Sequence, residues 1–165
     1  MDRVDKMILS LLQEDATLAV ADIAKRVGLS TTPCWRRIQK MEEDKVIQRR
    51  VAVLNPEAIN CAVTVFVSIK TDKHNHEWLK RFSEVIARYP EVVGFYRMSG
   101  QVDYLLKVSV PDIAAYDVFY KKLVTDIDIE DVSSAFAMER IKDTTQLPLD
   151  FIRLEKTSRE KSSAA

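Results

Sequence analysis

Between residues 4 and 47 the apolar positions recur with a helical period. Val4, Ile8, Leu11 and Leu12 share one face of a predicted helix over residues 4–13, with Asp5 in the first turn, where the helix dipole favours an acid. Val20, Ile23, Ala24 and Val27 predict a second helix, closed by Gly28; its start is weakly marked because Ala19 stands where serine or threonine would cap best. Ser30-Thr31-Thr32-Pro33 leads into a third helix that runs to about Asp44. Ser30 and Thr32 can both cap it, and Pro33 favours Thr32, because proline prefers the first helical position. Three short helices cannot each bury a stripe alone, so they are expected to pack as a tri-helical unit. Val46-Ile47 and Val51-Ala52-Val53 flank a basic Gln48-Arg49-Arg50, expected as a turn or small wing, and Asn55-Pro56 ends the run.

From Cys61 the period changes. Val63, Val65, Val67 and Ile69 alternate with Thr64, Phe66, Ser68 and Lys70, which predicts a strand. Residues 75–88 read as a helix through Trp78, Leu79, Phe82, Val85 and Ile86, stopped near Tyr89-Pro90. Val92–Met98 and Tyr104–Val110 read as strands around a turn at residues 100–103. A helix follows from Pro111-Asp112 through Ile113, Tyr116, Phe119, Tyr120 and Leu123, and Val132–Met138 is a last strand. This order is that of a ferredoxin-like βαββαβ unit, making the chain α+β. Helices on one sheet face leave the other open while its strands still offer apolar residues there, so a homodimer is expected. The expected divisions are a helix-turn-helix domain over 1–50, a linker over 51–61, a ferredoxin-like domain over 62–154 and a tail over 155–165.

Twenty-five basic residues balance twenty-five acidic ones, so net charge argues neither for nor against a nucleic-acid partner. Locally, however, Arg36, Arg37, Lys40, Lys45, Arg49 and Arg50 fall close together. Cys34 and Cys61 are too few and too far apart for a sulfur-rich zinc site, and Cys34 reads more simply as a small core residue than as a redox sensor. The opening MDRVDKM lacks a signal-peptide pattern and no run is long enough to span a bilayer, so a cytoplasmic protein without a membrane partner is expected. His74 and His76 have no evident third ligand or nucleophile, and Asp103 and Asp112 form no evident acid/base pair. Neither an enzyme nor a cofactor is expected.

The third helix sorts by angle. At about 100° per residue, Cys34, Ile38 and Met41 span roughly 60° of one face, while Thr32, Arg36, Gln39 and Lys40 fall in the opposite half, with Trp35 and Arg37 on the flanks. Such an outward set suits the major groove: arginine grips guanine edges, glutamine adenine, and a threonine methyl meets a thymine methyl. Arg36 is the expected base reader, with Thr32 and Gln39 secondary. Arg37, Lys40, Arg49 and Arg50 are expected mainly on phosphates, which supply affinity rather than specificity. Trp35 can pack beside the apolar stripe or touch the DNA backbone. Against DNA recognition stands a solvated basic helix, or a three-helix module that binds a protein partner while the second domain senses a metabolite.

Asp5-x-x-Ile8-Leu9-x-x-Leu12-Gln13-x-Asp15, Val27-Gly28-Leu29-Ser30 and Thr32-Pro33-Cys34-Trp35-x-Arg37-Ile38 closely resemble the N-terminal domain of the Lrp/AsnC, or feast/famine, regulators. The resemblance continues through Asn55-Pro56, Gly100-x-x-Asp103-Tyr104 and Thr144-Thr145-x-Leu147-Pro148-Leu149, covering nearly the whole chain. It implies a winged helix-turn-helix joined by a hinge strand to a βαββαβ ligand-binding domain. Such domains form dimers that assemble into tetramers or octamers, bind double-stranded DNA, and hold an amino-acid effector that changes assembly or the spacing of the DNA-binding heads.

The resemblance places the ligand site at the turn after the second strand. Gly100 would let backbone approach the ligand, and Met98, Ser99, Gln101 and Tyr104 would shape the cavity, with Ser133, Ser134 and Phe136 contributing from an adjacent strand. Asp103 would pair with an α-ammonium or brace the loop; a plain hairpin turn explains Gly100 and Asp103 equally well. The runs Gly94–Gly100 and Ser133–Met138 look like the branch containing cysteine-responsive regulators, which makes cysteine the first expectation for the effector. The sequence departs from the family at Lys45 and Asn60, where glycines are usual, and at Ala19.

Overall fold

The structure is a computed structural model that describes residues 1–73 and 75–154. The expectations about His74 and about the tail at 155–165 lie outside the described residues. The described residues divide into two compact units: Met1–Ala52 together with residues 142–154, and Val53–Ile141.

In the first unit, α1 (Arg3–Glu14), α2 (Val20–Val27) and α3 (Thr31–Glu43) bury Ile8, Leu9, Ile23, Ala24, Val27, Cys34, Ile38 and Met41 in one core. The stripes marked by the helical period lie here for α2 and α3; on α1 only Ile8 of the marked stripe is fully buried, Val4, Leu11 and Leu12 are partly buried against the core, and Leu9 joins it. Asp2 caps α1, accepting from Val4 and Asp5 N–H, while the Asp5 carboxylate accepts from Asp2 N–H at 2.8 Å. Two acids thus satisfy orphan donors reciprocally. Gly28, at φ 71°, ends α2 in the left-handed region, and Leu29 N–H donates back to Ala24 C=O, which turns the chain tightly into α3. Ser30, not Thr32, is the α3 cap residue. Pro33 therefore sits in the first turn, where its missing N–H has no intrahelical acceptor to lose; the first helical bond runs from Cys34 N–H to Ser30 C=O. Lys45 closes α3 at φ 58° and donates to Glu42 C=O. The position where glycine is usual is held left-handed by a lysine.

No strand forms over residues 44–62, so neither the wing nor the hinge strand appears within the chain. An extended segment needs a ladder partner for its N–H and C=O groups, and none is present here. Val51, Val53 and Leu54 are exposed as a result. Residues 56–60 form a turn opened by Asn55, whose side chain accepts from Glu57 N–H, and closed by Asn60 at φ 57° with Cys61 N–H donating to Pro56 C=O.

The second unit contains β1 (Val63–Lys70), α4 (His76–Ile86), β2 (Val92–Arg97), β3 (Tyr104–Val110), α5 (Ile113–Asp126) and β4 (Asp131–Phe136). The sheet is antiparallel in the order β2-β3-β1-β4, the expected split βαβ arrangement. Val65, Val67, Ile69, Leu106 and Val108 pack on Phe82, Ile86, Tyr116, Phe119 and Leu123 from the two helices. Asn75 and Asp112 cap those helices through Trp78 N–H and Ala115 N–H, both at 2.7 Å.

The C-terminal segment departs from the expected division. Residues 142–154 belong with the three-helix unit rather than with the sheet, because Leu149 and Ile152 pack against the α1–α3 core and Gln13 and Lys6 hold the backbone and Asp150.

Candidate DNA-reading face and effector site

On α3, the buried stripe fixes which side chains point outward. Thr32, Trp35, Arg36 and Lys40 are exposed, Trp35 to 50% of its surface. Arg36 has no ion pair among the described residues, which leaves its guanidinium fork available. Lys40 pairs with Asp44, one turn on, at 3.4 Å, a loose exposed contact. Arg49 is exposed in the segment after α3.

Three of the expected contact residues are engaged within the unit. Gln39 Nε2 donates to Glu42 Oε2 at 3.0 Å and Arg50 Nη2 to Glu42 Oε1 at 2.9 Å, so one carboxylate gathers both. Arg37 departs furthest from its expected phosphate role. Its Nη1 donates to Asp2 Oδ2 and to Asp5 Oδ1, both at 2.7 Å, and Asp5 is largely buried. The hydrogen bond to Asp5 and then that to Asp2 push the guanidinium pKa above its ordinary value against the opposing effect of burial. Arg37 therefore ties α3 to the capped end of α1, a role that the capping pattern Asp2-x-x-Asp5 could have signalled. Cys34 is fully buried, and burial pushes its thiol up with Arg37 opposing, as befits an inert core residue.

The expected effector residues are split by the sheet. Met98, Ser99, Gly100 and Gln101 are exposed in the β2–β3 hairpin, where Gly100 adopts φ 124° and Met98 N–H donates to Asp103 C=O at 2.8 Å. Asp103 braces this end of the sheet: its Oδ2 accepts from Thr71 N–H at 2.9 Å and its own N–H donates to Ile69 C=O. Tyr104 is buried against Trp78, Phe82 and Phe95 and lines the core. Ser133 pairs with Ser68 on the open face, whereas Ser134 and Phe136 point to the helix face, Ser134 hydrogen-bonded to the Tyr116 hydroxyl and Phe136 edge-on to its ring. The hairpin and Ser133 lie at one end of the sheet; Ser134 and Phe136 lie beneath α5. Among the described residues, no group of three or more histidine, cysteine, aspartate or glutamate side chains could hold a metal ion, and no helix is long and apolar enough to cross a membrane.

A family model for the AsnC-type helix-turn-helix domain matches residues 1–42, and one for the Lrp/AsnC ligand binding domain matches residues 64–147. The chain belongs to the Lrp/AsnC family. It is 48% identical over 151 residues to the DNA-binding transcriptional activator DecR of Escherichia coli (strain K12), covering 91% of this chain and 99% of that one. It is 46% identical over 149 residues to the glutamate uptake regulatory protein of Zymomonas mobilis, covering 90% and 91%. Among solved structures, an AsnC family transcriptional regulator from Agrobacterium tumefaciens superposes with a TM-score of 0.90 at 71% identity, covering 93% of this chain and 100% of that one. A transcriptional regulator from Neisseria meningitidis, solved with L-Met, superposes at 0.86 and 30% identity, covering 91% and 97%. This Lrp/AsnC chain is thus a DNA-binding transcriptional regulator, with its reading head in the first unit and its ligand-binding fold in the second.

Proposed function

We propose that the regulator reads its operator through the outward face of α3 and that a small amino acid bound to the sheet domain sets its assembly or its DNA affinity. The observation that carries the first half is the exposed Arg36, without an ion pair among the described residues, beside Thr32 on the face opposite Cys34, Ile38 and Met41. Arg36 forks onto a base edge, Thr32 meets a thymine methyl, and Gln39 reaches a base on exchanging its bond to Glu42. Lys40, Arg49, Arg50 and Trp35 meet the DNA backbone.

The second half is supported by the matched ligand-binding fold and by the Neisseria relative solved with L-Met. The hairpin at Met98–Gln101 is the proposed effector edge, Gly100 supplying close backbone approach, and cysteine is the first effector to test on the sequence resemblance. The working form is a homodimer through the open sheet face, where Phe66, Val93 and Tyr96 are exposed, and dimers build tetramers or octamers. A second copy also offers the ladder partner that residues 51–54 lack.

A genome-wide map of bound sites, repeated with and without a panel of amino acids, tests both halves. Discrete promoters whose occupancy changes with one amino acid are expected. Occupancy that is sequence-independent refutes the reading role of α3, and occupancy indifferent to every amino acid refutes the effector role.

A further inference from the structure

The first unit is assembled from two stretches of chain separated by the entire sheet domain. The returning stretch is gripped closely by α1. Gln13 Oε1 accepts from Leu147 N–H at 2.7 Å and Gln13 Nε2 donates to Leu147 C=O at 3.1 Å, so one side-chain amide takes both backbone groups of one residue, as a neighbouring strand would. Gln146 Nε2 returns a bond to Gln13 C=O. Two turns back along the same face of α1, Lys6 Nζ meets Asp150 Oδ1 at 2.7 Å. Leu149, between these polar anchors, and Ile152, just beyond them, pack against the three-helix core. Pro148 precedes a short 3₁₀ turn over Leu149–Phe151, which aims Leu149 inward while Phe151 stays exposed.

These contacts connect to the reading helix. Lys6 follows Asp5 directly, and Asp5 holds Arg37 of α3, so the returning segment, α1 and α3 form one continuous set of bonds inside the unit. We propose that residues 144–152 are a strap that holds α1 in register under the recognition helix, so that the DNA-binding head is complete only after the chain has traversed the sheet domain and returned. The head then has two covalent connections to that domain, one near residue 52 and one near residue 142.

The test uses the full chain. Gln13→Ala removes the amide grip and Leu149→Ala the apolar anchor, while Gln13→Glu keeps an acceptor for Leu147 N–H and loses the donor. Hydrogen exchange by mass spectrometry should rise roughly fivefold to tenfold in α1 and α3 for Gln13→Ala, less for Gln13→Glu, with β1–β4 unchanged. Affinity for a duplex selected from a random pool should fall in step. If only Leu147 and its neighbours lose protection while α1, α3 and DNA affinity stay as in the parent, the segment is a passive tail and the proposal is overturned. Loosening of the whole chain, sheet included, by the mild Gln13→Ala change also overturns it.

Discussion

Replacing Arg37 with alanine separates a structural clamp from a phosphate contact. Arg37 makes two 2.7 Å bonds, and the side chains of Arg37, Asp2 and Asp5 are 35%, 38% and 13% exposed. The Asp2 arm is open enough for water to screen it, so its contribution is about 0.5 kcal/mol. The Asp5 arm is sheltered and charge-assisted, about 1–2 kcal/mol, and Asp5 keeps its bond from Asp2 N–H after the loss. Arg37→Ala should therefore destabilise the three-helix unit by roughly 2 kcal/mol, read by chemical or thermal melting of the full chain followed by exchange in α1. A double-mutant cycle with Asp5→Ala should return a coupling of about 1 kcal/mol or more. Because the guanidinium is already occupied, the slope of log affinity against log salt should stay unchanged. Negligible coupling, with a salt slope smaller by about one, would show that Arg37 meets a phosphate instead.

Other changes test neighbouring steps. Lys45→Gly relieves a left-handed lysine and should raise the melting point of the helical unit by up to about 1 kcal/mol equivalent, whereas Lys45→Val should lower it. At Gly94 an added Cβ would stand 2.9 Å from Tyr96 Cε2 and 3.2 Å from Lys107 Cβ, so Gly94→Ala should displace the Tyr96 ring from the open face, costing about 1–2 kcal/mol and weakening dimers in sedimentation. For Asp2, burial pulls the carboxyl upward, but the Asp5 N–H and the Arg37 guanidinium outweigh it and hold the pKa below the usual aspartate range. A depressed acid contributes stability above its unfolded pKa and loses it as pH falls through the folded one, so melting should drop below about pH 4 and Asp2→Asn should flatten that limb.

The elements were legible where a buried face repeats. Ile8, Ile23, Cys34 and Ile38 mark the head core, and Val65, Val67 and Ile69 mark the inner sheet face, because burial imposes the helical and strand periods on the sequence. What depended on a single bond was not legible in the same way. Arg37 is as basic as Arg36 and its angle puts it only on the flank of α3; the carboxylates brought over by α1 are what give it a partner. Leu147, Pro148 and Leu149 carry no period that says which unit they join; Gln13 and Lys6, more than a hundred residues earlier, decide it. The hinge strand over 51–61 is what the family resemblance implies, yet a strand needs a ladder partner that one chain does not supply. The effector residues were grouped by the family resemblance, and the pleat sends Ser133 and Ser134 to opposite faces.

Selection of bound duplexes from a random pool, run in parallel for the parent chain, Arg36→Ala and Arg49→Ala, tests the reading role of α3 most directly. The parent should enrich a two-half-site motif. Arg36→Ala should lose preference at specific base pairs by about 1–3 kcal/mol, while Arg49→Ala binds the same motif more weakly throughout. An unchanged motif for Arg36→Ala would contradict the assignment of this helix face as the sequence reader.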